Sequence, residues 1–197
     1  MKRIVLADAD ILIDLVKLNF LKLLKQLSKY YNWEISITES IKSECKDQIT
    51  LSLVNSMIKT GNIKIINESS MEVAKIIEEL DKIMVPGKEI ELFAIAKHRN
   101  YDILTDDLEN TGVYYRNYPL DKGKFWIYNL YQLLYLACKA RILTIEEVND
   151  ALLNLHKNGI RFLNKFILKR GFKAYCEEID KFRDRHISPR DAEKFMD

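Results

Sequence analysis

The chain is poor in residues that interrupt regular structure, with only 6 glycines and 3 prolines among 197 residues. Loops are therefore expected to be few or short, and helix to dominate. Its 3 cysteines, Cys45, Cys138 and Cys176, are an odd number, far apart and without a CxxC pair. They read as reduced thiols, which points to a cytoplasmic protein. No apolar run approaches the ~20 residues that cross a bilayer, so no membrane role is expected. The opening Met1-Lys2-Arg3-Ile4-Val5-Leu6 is interrupted at once by Asp8, Asp10 and Asp14, so no signal peptide is expected. An excess of one charge is also missing. Lys and Arg total 31 against 29 Asp and Glu, a net +2 that excludes a highly basic DNA-coating protein but not a local basic face. The balance is uneven along the chain: residues 1–112 carry 15 basic and 18 acidic side chains, residues 113–197 carry 16 and 11. Apolar residues make up 48%, enough for a core and too many for a disordered chain.

Hydrophobic periodicity supplies the elements. Ile4–Ala7 is a short apolar run ending in acids, as a buried parallel strand would be. Helical spacing of Leu12, Leu15, Val16, Phe20, Leu23, Leu24 and Leu27 predicts a helix over 11–29. A strand follows at 34–37, then a helix capped by Thr38 and running through Glu44, a helix at 49–59 and a strand at 63–66. Ser69 or Ser70 can cap a helix at 71–83; Pro86-Gly87 is a break before a helix at 88–98 and a strand at 102–104. Residues 110–124, with Asn110, Gly112, Asn117, Pro119 and Gly123, read as irregular, and 125–129 as a fifth strand. Helices are expected at 130–141, at 145–157 under a Thr144/Glu147 capping box, up to Gly171, and over 174–185. Alternating strand and helix argues an α/β fold: a parallel sheet of four or five strands flanked by helices, with a C-terminal helical extension. The expected division is 1–129 for the sheet domain and 130–197 for the extension packed on it.

The acids sit where such a sheet binds ligands, outside the carboxyl ends of its strands. Asp8 and Asp10 follow the first strand, and Asp106 and Asp107 the fourth. Glu44 lies on the helix after the second strand, and Glu89 opens the helix before the fourth. One acid after a strand is usually a helix cap or a solvated loop residue. A converging set repels itself unless cations neutralise it, and oxygen donors without His or Cys suit Mg²⁺ or Mn²⁺, metals of phosphate chemistry.

The segment Ile4-Val5-Leu6-Ala7-Asp8-Ala9-Asp10-Ile11-Leu12-Ile13-Asp14 resembles the opening of PIN-domain nucleases. Ile37 to Glu44, Gly87 to Ala96 and Ile103 to Asp107 resemble their next three motifs. The resemblance places the family's acids at Asp8, Glu44, Glu89 and Asp107, with Asp106 as a further candidate ligand. From Tyr131 to Phe162 the chain is similar to the C-terminal helices of a VapC-like subgroup. The resemblance implies a divalent-metal-dependent ribonuclease using Mg²⁺ or Mn²⁺, often the toxin of a toxin–antitoxin pair. RNA, an antitoxin protein and a second copy of the chain are then the expected partners. Lys88, and the stretch Pro119–Lys124, depart from the pattern.

Two other functions compete. Asp8-x-Asp10 with Asp106-Asp107 also resembles haloacid-dehalogenase-type phosphatases, which makes Asp8 a nucleophile and Asp10 a general acid and leaves Glu44 and Glu89 without a role. A PIN-like fold can also serve as a non-catalytic RNA-binding or assembly module. Residues 157–173 carry Lys157, Arg161, Lys165, Lys169, Arg170 and Lys173 with no acid, interleaved with Phe162, Phe166 and Phe172. Lys165, Lys169 and Arg170 are the candidate RNA contacts of this face, which also suits the acidic tail of an antitoxin. The Phe residues read rather as part of a helix core. His98, His156 and His186 show no zinc or catalytic spacing.

Overall fold

The computed structural model describes residues 2–121, 124–159 and 164–183. They fall into two compact units, Met1–Leu130 and Tyr131–Asp197. The first unit is built on a five-stranded, all-parallel sheet. Its strands are β1 (Arg3–Ala7), β2 (Trp33–Ile37), β3 (Lys64–Ile65), β4 (Asp102–Leu104) and β5 (Ile127–Tyr128), in the order β3-β2-β1-β4-β5. β1 is central because Val5, Leu6 and Ala7 offer apolar side chains to both faces and are all fully buried. The chain first builds β1, β2 and β3 towards one edge, then returns to place β4 on the other side of β1. The switch therefore lies between β1 and β4, where the backbone of Asp8 continues the pairing by donating to the Leu104 carbonyl at 2.9 Å.

Helices α1 (Ala9–Lys17), α2 (Leu23–Tyr31), α3 (Glu39–Glu44), α4 (Gln48–Lys59), α5 (Met71–Leu80), α6 (Glu89–Arg99) and α7 (Leu108–Asn117) connect the strands. Five have side-chain caps: Asp8, Thr38, Asp47, Ser70 and Asp107 accept from amides of the first turns of α1, α3, α4, α5 and α7. α6 is apolar on most of its circumference, with Ile90 and Leu92 to Ala96 all buried. Two aromatic groups fill the remaining core. Trp33 stacks on Tyr31 and meets Tyr128, with centroids 5.1 and 5.6 Å away. Tyr114 of α7 packs on Phe93, Tyr118 and Phe125 and donates to Asp121 at 2.9 Å. Arg3 and buried Asp102 pair at the opposite, amino edge of the sheet.

The helical extension is carried by α8 (Leu130–Lys139), which lies in the second unit from Tyr131 on, and by α9 (Ile145–Lys157) and α10 (Lys165–Arg183). Thr144 and Glu147 form the expected capping box. Gly171 breaks α10 at φ +78°, a conformation that a side chain would strain, and the Phe172 amide donates to Asn149 of α9 at 3.2 Å. Phe172 stacks on Tyr175, and both are fully buried.

Three expectations are corrected. The helix over 11–29 is two helices, because Asn19 takes φ +60° and turns the chain, while Leu18 and Leu21 stay buried and preserve the apolar period. Most of 110–124 is helix, not irregular, since Asp107 caps α7 and Tyr114 anchors it. The third strand pairs over two residues, not four. The end expected for the last helix, with His186, lies outside the described residues, as do Arg161 and Phe162 of the basic stretch.

Candidate metal centre

Three helix amino ends meet the carboxyl edge of the sheet, each bearing one of the expected acids. Asp8 ends β1 and caps α1, with Oδ1 accepting from the Ala9 amide at 2.6 Å. Its Oδ2 accepts from the Thr105 hydroxyl at 2.9 Å. Thr105 ends β4 and is also the acceptor for the Asp107 amide at 3.1 Å. One hydroxyl thus ties the acids of the two central strands. Asp107 caps α7 and Glu89 begins α6, where the positive end of the helix dipole favours a carboxylate. Glu44 closes α3, half-buried.

The electrostatics join these groups. Asp8 is 1% exposed, and burial pushes its pKa from 3.8 up to about 7. The Thr105 hydrogen bond opposes that rise, and the charges of Glu89 and Asp10 add to it. Glu89 is raised as well, by burial first and then by the charges of Glu44, Asp107 and Asp10, against the pull of its own amide. Asp8 therefore feels Glu89, and Glu89 feels Glu44 and Asp107, with the exposed Asp10 acting on both Asp8 and Glu89. Glu89 curls back over Gly87, where a Cβ would collide with its Oε2. Glu91 faces elsewhere, accepting from the Ser40 hydroxyl. Two residues apart on a helix means roughly 160° of rotation, so the two side chains leave α6 in different directions.

Asp106 is engaged differently from its neighbour Asp107: its Oδ1 accepts from the Leu130 amide at 2.9 Å. Among the described residues no three Asp, Glu, His or Cys side chains stand close enough together to hold an ion as they are placed. Mutual repulsion opposes closer approach of uncompensated carboxylates. The donor chemistry nonetheless fits a hard divalent cation: four carboxylates without His or Cys ligands, one of them buried among other acids.

Lys88, Thr105 and Asn110 have roles here that the sequence did not disclose. Lys88 reaches across to α3, with Nζ 2.7 Å from Ser43 Oγ, 3.1 Å from the Ser40 carbonyl and 3.8 Å from Glu44 Oε1. Thr105 was visible only as a member of the Ile103 to Asp107 segment. Asn110 carried no signal beyond its poor helix propensity. In the second unit, Lys165, Lys169 and Arg170 are exposed on the first part of α10, beside buried Ile167, and Arg170 lies 5.4 Å from the Phe166 ring.

The family model for the PIN domain matches residues 4–171. The chain belongs to the PIN-domain family. PIN domains are in general nucleases that use divalent metals, so hydrolysis of phosphodiester bonds is the chemistry of this class. No curated protein matches the chain. Among solved structures, it is similar to a chain in the crystal structure of VapBC2 from Rickettsia felis bound to a DNA fragment from their promoter. The identity is 14% and the TM-score 0.46, over 64% of this chain and 98% of that one. Among the described residues, no helix is long and apolar enough to cross a membrane.

Proposed function

We propose that this protein is a divalent-metal-dependent ribonuclease acting in the cytoplasm as the toxin of a toxin–antitoxin pair. The observation that carries the nuclease reading is the buried carboxylate of Asp8 at the switch between β1 and β4, electrostatically joined to Glu89 and through it to Glu44 and Asp107. Asp8, Glu44, Glu89 and Asp107 would hold Mg²⁺ or Mn²⁺, directly or through water. Such an ion supplies an activated water and charge neutralisation at a phosphoryl group. The protein's own part is positional. Thr105 fixes the orientation of Asp8 and the entry of α7, and the helix amino ends keep Asp8, Glu89 and Asp107 at one edge. No Ser, His or Cys nucleophile is needed. Lys165, Lys169 and Arg170 would follow an RNA backbone, and the same basic face suits an acidic segment of an antitoxin.

The test is incubation of purified protein with a mixed RNA pool in Mg²⁺, Mn²⁺ or EDTA. Cleavage is expected with either metal, and none in EDTA or with Asp8→Asn. Cleavage that persists in EDTA overturns the mechanism. Phosphate release from small phosphoesters without RNA cleavage selects the phosphatase. RNA binding that needs no metal, with no cleavage at all, selects the non-catalytic module.

A further inference from the structure

Asn110 is 2% exposed, in the first turn of α7, and every hydrogen-bonding group of its side chain is used. Its Nδ2 donates to Asp107 Oδ2 at 2.7 Å and to the Val85 carbonyl at 3.1 Å. Its Oδ1 accepts from the Val85 amide at 2.7 Å, and its own backbone amide donates to Asp107 Oδ1 at 2.8 Å. A primary amide has one oxygen and two N–H donors, so this set of partners permits one orientation only. Both oxygens of Asp107 are thereby gripped, each keeping a lone pair for another partner.

The other end of the grip matters as much. Val85 begins the short run Val85-Pro86-Gly87-Lys88 that delivers Glu89 to the edge of the sheet. Val85, Pro86 and Gly87 are all exposed, so their side chains anchor little of this run in the core. Pro86 has no N–H to offer. The two-point clip from Asn110 to the Val85 backbone is a specific fastening that the run does have. One side chain thus connects an acid of α7 with the segment carrying the acid of α6.

We propose that Asn110 is a positioning residue that fixes Asp107 relative to the Val85–Lys88 segment and so sets the spacing between Asp107 and Glu89 in which a divalent cation is held. The inference rests on the metal-nuclease reading and adds a residue that touches neither metal nor RNA. Leu at this position would fill the volume and lose all three side-chain bonds. Asp would keep the acceptor for Val85, lose both donors and set a second carboxylate against Asp107. Only an amide of this length serves both partners.

The experiment is calorimetric titration of metal-free protein with Mn²⁺, together with its thermal unfolding before Mn²⁺ is added. Asn110→Ala is expected to weaken Mn²⁺ binding about 10–100-fold, the usual range for losing a group that orients a ligand. Asn110→Ser, which keeps a small polar group but cannot span to Val85, serves where the alanine variant does not fold, and is expected to weaken binding in the same way. A purely structural part in capping α7 would lower the unfolding temperature and leave the Mn²⁺ affinity of the folded protein within twofold of wild type; that result overturns the inference. Wild-type protein that binds no Mn²⁺ overturns both this inference and the nuclease reading, whereas equal binding by wild type and variants removes the inference alone.

Discussion

Thr105 and Asp8, 97 positions apart in sequence, are joined by a 2.9 Å hydrogen bond buried between the two central strands. The same hydroxyl accepts the Asp107 amide, so a single side chain orders the acid after β1 and the start of the helix after β4. Thr105→Val keeps the shape and removes both bonds. The cost expected is about 1–3 kcal/mol of stability. The Asp8 carboxyl, no longer held down by that bond, rises further, and the acid limb of the cleavage–pH profile moves to higher pH. Thr105→Ser restores both. Denaturant melts and pH–rate profiles of the three proteins check this.

Asp8 also makes stability depend on pH. Its pKa is about 7 in the folded protein against an ordinary 3.8, so the folded state holds a proton that the unfolded chain has released across that window. The folded state then binds more protons than the unfolded one, and this group's contribution to stability falls as pH rises from about 4 to about 7. A divalent ion held by Asp8 would compete with that proton. Mn²⁺ is expected to raise the melting temperature more at about pH 8 than at about pH 5, and Asp8→Asn to remove most of the difference. Thermal melts with and without Mn²⁺ at the two pH values measure it.

Glu89→Gln is expected to abolish cleavage and weaken Mn²⁺ binding. Glu91→Gln keeps an acceptor for the Ser40 hydroxyl and leaves both largely intact. The reverse pattern in paired activity and binding assays would assign the metal to the other face of α6.

Replacing Lys165, Lys169 and Arg170 together by Ala is expected to flatten the salt dependence of RNA binding by about two units, at roughly 0.7 per phosphate contact for a single strand. Anisotropy titrations in EDTA, across a salt series, give the slope without cleavage. An unchanged slope leaves α10 a solvated face.

The α/β alternation was legible because the strands are short apolar runs and the caps Thr38, Ser70 and Thr144 are of the types preferred at helix starts. The turn at Asn19 was hidden because Leu18 and Leu21 are buried as well and keep the helical period running through it. α7 was hidden by the opposite problem. Asn110, Gly112 and Asn117 argue against helix locally, and the Tyr114 core that outweighs them is assembled from Phe93, Tyr118 and Phe125, none of them adjacent. The resemblance favours Asp107 and keeps Asp106 as a further candidate; the fold adds which amide each meets, Leu130 for Asp106 and Asn110 for Asp107. The candidate acids were readable as residue types, Asp8 and Asp107 after strands and Glu44 and Glu89 on helices. The neutral groups that hold them, Thr105 and Asn110, carry no charge to betray them.

The stacking of Trp33 between Tyr31 and Tyr128 has a practical consequence for following this protein in solution. The chain's 2 tryptophans, Trp33 and Trp126, both lie within Met1–Leu130. Indole emission excited at the red edge therefore reports the sheet unit alone, with the enclosed Trp33 and the more open Trp126 as two distinguishable emitters. The residues from Tyr131 onward are silent in that signal. Unfolding traces recorded by fluorescence and by far-ultraviolet dichroism will coincide only if the helical extension melts together with the sheet, so the pair of traces measures the cooperativity between the two units.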